Sequence, residues 1–304
     1  MKNKNKLLIL LLICTSITGF SQQDALYSQY QFNQSMINPA YTGLNDVFNA
    51  TAMMRRQWVG IKGAPITNTL NLSTSLLNNK VGVGVILVDD TYGVNKNTNA
   101  QALFSYRIDL LNGKSISFGM QTGYTNYRYD YAELLLEQDD QALAFSDGNV
   151  STFNVGAGIF FKTNQFYLGV SVPKMLNTEV VENGTSTTLH KRHFYVSSGY
   201  VFDQLIALKF KPSILVKIVE GQPLSIDLNA SFLLVETLWV GASLRNFNAV
   251  GINSQFEIGD LVRLGYSFEF PLTSLSDTGF GTHEFMISFD LELFNNHARG
   301  RRYF

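Results

Sequence analysis

The sequence predicts an all-β fold, an antiparallel transmembrane β-barrel of about 14 strands with an extended N-terminal lead-in. Three observations predict it. From about residue 46 to residue 294, segments of about ten residues alternate apolar with polar or small side chains, the period of strands whose two faces meet different solvents. The joins between those segments alternate short and long. Only 15% of residues are charged, against roughly a quarter in soluble domains, while 13% are aromatic.

The first element is a signal peptide over residues 1–21. Lys2, Lys4 and Lys6 precede an unbroken apolar run from Leu7 to Ile13, and Gly19-Phe20-Ser21 follows at cleavage spacing. The run is too short to cross a bilayer, and no later apolar run reaches the roughly 20 residues of a spanning helix. Cys14 is the only cysteine, and Ile13 stands where a lipoprotein signal needs a small residue, so cleavage near Ser21 is preferred. The mature chain then lacks the thiols for a disulfide or a thiolate metal site. A net charge of −1 leaves no basic footprint for nucleic acid.

Residues 22–45 form the lead-in, periplasmic or lumenal. It is dense in Tyr, Gln and Asn, and its apolar residues Tyr27, Tyr30, Phe32, Met36 and Ile37 fit neither a helical nor a strand period. Pro39 biases Asn38 toward extended or turn geometry, and Gly43 marks a turn before the strands. The segment reads as an ordered, extended stretch that packs against the strands beyond it.

The barrel spans residues 46–294. Among its clearest rows are Ile66, Leu70, Leu72 and Leu76; Ala100, Ala102, Phe104, Tyr106 and Ile108; and Leu224, Ile226, Leu228, Ala230, Phe232 and Leu234. Short turns fall at Asn78-Asn79-Lys80, Asn112-Gly113-Lys114, Thr163-Asn164, Asp203-Gln204, Glu236-Thr237 and Gly259-Asp260. Longer loops lie between them, including Asp89 to Asn97, Tyr131 to Val150 and Pro173 to Lys191. Such alternation is that of periplasmic turns and external loops, and an even strand number puts both mature termini in the periplasm. Lys209, Lys211, Lys217, Asp227, Arg245, Glu257, Arg263, Glu269, Asp290 and Glu292 all oppose the apolar rows of their strands. A Lys or Arg turned to lipid costs about 2–4 kcal/mol at the midplane, so these charges belong in the lumen. Their mixed signs fit a salt-bridged or plugged interior better than an ion-selective pore. Residues 295–304 form a basic tail ending Arg299-Gly300-Arg301-Arg302-Tyr303-Phe304.

Asp24, Tyr27-Ser28-Gln29-Tyr30, Phe32-Asn33 and Ile37-Asn38-Pro39-Ala40-Tyr41-Thr42-Gly43 resemble the N-terminal signature of the PorP/SprF outer-membrane proteins of the type IX secretion system in Bacteroidota. The likeness continues through Arg56-Gln57-Trp58, His193-Phe194-Tyr195, Asp227-Leu228-Asn229-Ala230, Trp239 to Arg245 and Gly279 to Glu284, over essentially the whole mature chain. Ala25 departs from it where many members carry proline. The resemblance implies a non-enzymatic barrel that assists secretion or surface attachment of specific cargo, such as gliding adhesins, carrying a C-terminal sorting domain. It implies other type IX subunits as partners, with the outer-membrane lipid around the barrel. The alternative is a porin-like or hydrophobic-solute channel.

Candidate partner or plug residues are Tyr27, Gln29, Tyr30, Phe32, Asn33, Asn38, Pro39 and Tyr41 of the lead-in, with His283, Glu284, Arg301 and Arg302. No cofactor is expected. His190 and His193, three apart, point to opposite faces if they share one strand, and no metal or catalytic residue is assigned. His283 and Glu284 are expected to fix the preceding loop. Six acids between Asp130 and Asn149, with no Lys or Arg, read as an external loop, whose Leu134-Leu135-Leu136 makes partner contact an alternative.

Overall fold

In the computed structural model the alternating segments pair, each with the next, into one closed sheet, because a sheet with lipid on one face and no free edge satisfies every backbone group only by closing on itself. The structure describes residues 27–130, 148–182, 185–203, 208–273, 279–293 and Tyr303. The first half of the wall is β1 (Phe48–Arg56), β2 (Ile66–Leu76), β3 (Val81–Tyr92), β4 (Asn95–Asp109), β5 (Ser115–Tyr129), β6 (Gly148–Lys162) and β7 (Phe166–Val172). A hairpin of β8 (Thr178–Glu182) and β9 (Thr185–His190) stands outside the wall. The second half is β10 (His193–Tyr200), β11 (Leu208–Val219), β12 (Ser225–Leu234), β13 (Leu238–Arg245), β14 (Ala249–Ile258), β15 (Val262–Pro271) and β16 (Thr282–Leu291). β7 pairs with β10, and β16 pairs with β1 to close a ring of 14 antiparallel strands.

Three sequence expectations change. Asp89 to Asn97 is not a loop: β3 and β4 continue through it and turn at Gly93-Val94, with Asp89 opposite Thr98 and Tyr92 opposite Asn95. The Pro173 to Lys191 stretch is not irregular throughout, since it carries the β8–β9 hairpin. The lead-in is not extended throughout either. It coils through three 3₁₀ turns, Ser28–Gln31, Gln34–Met36 and Pro39–Tyr41. Shut away from water and outside any ladder, its main chain satisfies itself in short-range turns, such as Phe32 N to Gln29 O at 3.0 Å and Asn38 N to Gln34 O at 2.9 Å.

The wall's outward face carries the apolar rows; Phe104, Met120, Ile252 and Phe285 lie exposed there. The inward face is polar and buried, with Thr69, Asn71, Ser105, Ser117, Lys211, Asp227, Ser231 and Glu284 all under one-tenth exposed. What buries it is the lead-in. Tyr27, Tyr30, Phe32, Ile37, Ala40, Tyr41 and Leu44 pack against Met53, Phe160, Tyr167, Tyr195, Leu215, Leu233, Trp239 and Met286, apolar residues of the inward face. The hydrophobic core of this protein therefore sits inside the barrel. Residues 1–21, expected to be a signal peptide, Asp24, most of the acidic 130–149 stretch, Arg301 and Arg302 lie outside the described residues.

Candidate functional site: the occupied lumen and its vestibule

The lead-in enters contact near the end of the barrel that bears the longer connections. There the two oxygens of Glu284 accept Ser28 N at 2.9 and 2.8 Å, and Gln29 N reaches Oε2 at 3.1 Å. Arg55, across the β1–β16 seam, lies 3.4 Å from the same carboxylate. Alongside, Arg245 pairs with Glu269 at 2.9 Å and Asp227 at 3.2 Å, and its Nη2 donates to Ser28 Oγ at 3.2 Å. Opposite charges on β1, β12, β13, β15 and β16 thus converge on two residues of the lead-in. Mixed sign in the lumen serves to hold a neutral polypeptide.

Further down, side chains from all round the wall take hold. Tyr27 Oη meets Thr69 Oγ1 at 2.7 Å, and Asn229 donates to Tyr30 Oη at 2.7 Å. Asn71 donates to Asn33 Oδ1 at 3.0 Å and Ser35 Oγ at 2.6 Å. Phe32 lies 6.4 Å from the Trp239 ring, with Lys211 Nζ 5.1 Å from its centroid and 4.5 Å from that of Trp239. Tyr303 joins this cluster from the far end of the chain. Its carbonyl accepts Lys211 Nζ at 2.9 Å, and its hydroxyl is hydrogen-bonded to Lys209.

The last turn rests in a trough of small residues. Ser75, Gly82, Ser105, Gly119, Gly158 and Ser171 are direct cross-strand neighbours on β2 to β7, forming one lateral row on the inward face. A Cβ at Gly119 would stand 2.1 Å from Ala40 N and 2.3 Å from Pro39 C, and one at Gly82 would stand 2.0 Å from Thr42 O. Only glycine lets the two backbones approach this closely. The serines bind rather than merely make room: Ser105 donates to Thr42 O at 2.7 Å and Ser171 to Ile37 O at 2.6 Å. Asn38 caps the turn by accepting Ala40 N at 3.0 Å, Pro39 supplies a first position that needs no N–H, and Nδ2 of Asn38 donates to Ile159 O at 3.0 Å. Tyr41 packs edge-on against Phe160, their centroids 5.3 Å apart.

Of the residues singled out in the sequence, the eight in the lead-in and Glu284 meet in the lumen. His283 does not. It faces the other side of β16, where Nδ1 lies 2.9 Å from Tyr266 Oη, so adjacent residues serve separate faces and Glu284 fixes the lead-in instead of a loop. His190 and His193 do come together, their rings stacked with centroids 5.4 Å apart, because one ends β9 and the other opens β10. No group of three or more metal-ligating side chains occurs among the described residues. The glycine row was missed, although interior glycines spaced at strand period signal close backbone approach.

Above the lead-in, at the long-loop end, a vestibule of about 860 Å³ remains, floored by Tyr27, Met36 and Ile37.

The model of the family described as "Type IX secretion system membrane protein PorP/SprF" matches residues 19–289. The chain belongs to this family. A search of curated proteins gives no match. Among solved structures, this PorP/SprF protein is similar to the CymD monoaromatic hydrocarbon channel, with a TM-score of 0.52 at 10% identity over 92% of this chain and 96% of that one. It is also similar to the outer-membrane protein Omp33 of Acinetobacter baumannii, with a TM-score of 0.46 at 10% identity over 83% and 100% of the two chains. At such identity the likeness to CymD shows the fold, an outer-membrane barrel, and Omp33 adds no argument.

Proposed function

We propose that this PorP/SprF protein is a non-catalytic outer-membrane partner of type IX secretion that helps specific cargo, tagged with a C-terminal sorting domain as gliding adhesins are, to be exported or held at the surface. The observation that carries this reading is the lead-in. A lumen filled from Tyr27 to Val47 by the chain's own polypeptide, with contacts to both halves of the wall, supports a docking platform over a conduit for solutes. The reading keeps the short-turn end, where β1 begins and β16 ends, in the periplasm, beside the other type IX subunits. It treats the lead-in as a lumenal unit whose seat shapes the vestibule above.

The test is quantitative mass spectrometry of surface and released proteins in a strain lacking the gene, with small-solute uptake measured in the same cultures. Loss of one or a few large surface proteins with uptake unchanged is the expected result. Intact surface proteins with impaired uptake would replace this reading by the channel.

A further inference from the structure

The lead-in enters the lumen at one mouth and leaves it at the other. Its first turn lies at the long-loop end, where Ser28 N and Gln29 N bond to Glu284, the third residue of β16. Ser28 Oγ donates at 3.3 Å to Glu269, which stands opposite the first residue of that strand. Its last residues lie at the short-turn end. Lys162, the final residue of β6, donates to Leu44 O at 3.1 Å, and Asp46 lies 2.7 Å from Arg107, two residues before β4 ends. The lead-in therefore crosses the barrel once, before any strand does. With the 14 strands of the wall the chain makes an odd number of passages, and its two ends belong to opposite mouths.

Packing and length both direct the residues before Tyr27 upward. Below Tyr27, Gln29, Gln31, Gln34 and Ala40 are each at most 1% exposed, so the filled lumen leaves no path for a second run of polypeptide beside them. With cleavage near Ser21, as the sequence reads, five residues precede Tyr27: Gln22, Gln23, Asp24, Ala25 and Leu26. Fully extended they span about 18 Å. The apolar band between the two mouths is roughly 25 Å tall, so even a free path would be too long. Above Tyr27 lies the vestibule, whose floor it forms. Asn95, Asn97, Asn99 and Gln101 line one side of that recess, and the buried Asn99 Oδ1 has no hydrogen-bond partner among the described residues. A main-chain N–H would satisfy it.

We propose that the chain's own first mature residues, Gln22 to Leu26, occupy the vestibule, so that the N-terminal end is presented at the long-loop mouth and the C-terminal end at the opposite one. This replaces the expectation, drawn from an even strand number alone, that both mature termini share the periplasm. A surface partner entering the vestibule meets a polar peptide end and not an empty cup. The inference rests on the secretion reading for which mouth faces the exterior.

Double electron–electron resonance on the whole barrel in detergent tests which mouth holds this end. Once residues 1–21 are removed the chain has no cysteine, so paired spin labels go to Ala25→Cys with Lys62→Cys, at the long-loop end, and to Ala25→Cys with Lys114→Cys, at the short-turn end. Both lysines are exposed and lie outside the strands, and heat-modifiable migration on a gel verifies folding. The distance from residue 25 to residue 62 is the shorter by roughly 20 Å, the greater part of the band's height. The reverse order overturns the proposal. So does thiol labelling of the unsubstituted mature protein, since a chain that keeps Cys14 is long enough to reach the other mouth. Antibody binding to intact cells then tests the orientation, with a short epitope inserted after Gln23, after Lys62 or after Lys114. The first two are stained and the third is not. Staining of the third alone, with the spin-label distances as expected, would keep the N-terminal end at the long-loop mouth and overturn instead the orientation taken from the secretion reading.

Discussion

At Glu284 one carboxylate, 2% exposed, accepts two main-chain N–H groups of the lead-in and faces Arg55, which is itself 4% exposed. Glu284→Gln removes the charge and keeps the size. It takes the Glu284 charge away from the buried Arg55 guanidinium, and breaking one member of such a pair costs about 3–5 kcal/mol. We expect the midpoint of urea unfolding in detergent to fall, and protease to cut the lead-in of the folded variant. An unchanged midpoint would mean that Arg55 finds its compensation elsewhere. Gly119→Val acts on the same segment through sterics, since its Cβ would overlap main-chain atoms of Pro39 and Ala40 that cannot rotate away. The barrel should still close, because the ladder is untouched, while the Pro39–Tyr41 turn leaves its seat and becomes accessible to protease. At this scale the sequence was half legible. Tyr27, Asn38, Pro39 and Glu284 stood out by residue type and setting, but what they touch lies up to 256 positions away in the chain.

As an element, the lead-in is a stopper built from the chain's own N-terminal region, and its removal is the cleanest test of its role. A barrel lacking residues 23–43 keeps every strand and every ladder pair. Its lumen should then admit water and ions, seen as a rise in single-channel conductance in planar bilayers over the intact protein. Equal conductance would show that the lead-in does not close the lumen. Tyr303 contributes from the other end of the chain, where Lys211 joins its carbonyl to the rings of Phe32 and Trp239. Tyr303→Ala removes the hydroxyl's bond to Lys209 and the ring under its ammonium group. We expect faster proteolysis around Phe32 with the barrel still heat-modifiable. The sequence marked this segment by its aperiodic aromatics and its Asn38-Pro39 turn. Coiling into 3₁₀ turns was not legible, because that conformation answers to a dry, enclosed lumen rather than to propensity.

For the whole molecule, the two faces of the wall predict opposite responses to charge. Ile252, 59% exposed in the middle of β14, points outward between Ala242 and Phe268. Ile252→Arg should destabilise the barrel in lipid vesicles by about 2–4 kcal/mol, read as a lower midpoint in guanidinium unfolding, and a neutral effect would deny that this face meets lipid. The sequence by itself determined the closed antiparallel wall and its strand number, because a two-residue period and an aversion to charge facing lipid are local properties written in every strand. It also placed Lys209, Lys211, Lys217, Asp227 and Asp290 on the inward face, where they are buried, whereas Glu292, expected there too, lies exposed past the end of β16, and the buried Arg55 and Arg107 were not singled out. The tertiary structure alone decided what fills that interior. The inward apolar residues Phe160, Leu215, Trp239 and Met286 sit on the polar phase of their strands, and Gly82, Gly119 and Gly158 read singly as weak strand positions. They make a seat only when closure and register bring them side by side around one segment. Among the described residues, the cations that line the vestibule, from Arg55 on β1 to Arg245 on β13, were gathered by the same closure, since a charge's neighbours across a lumen are set by the barrel's curvature and not by distance along the chain.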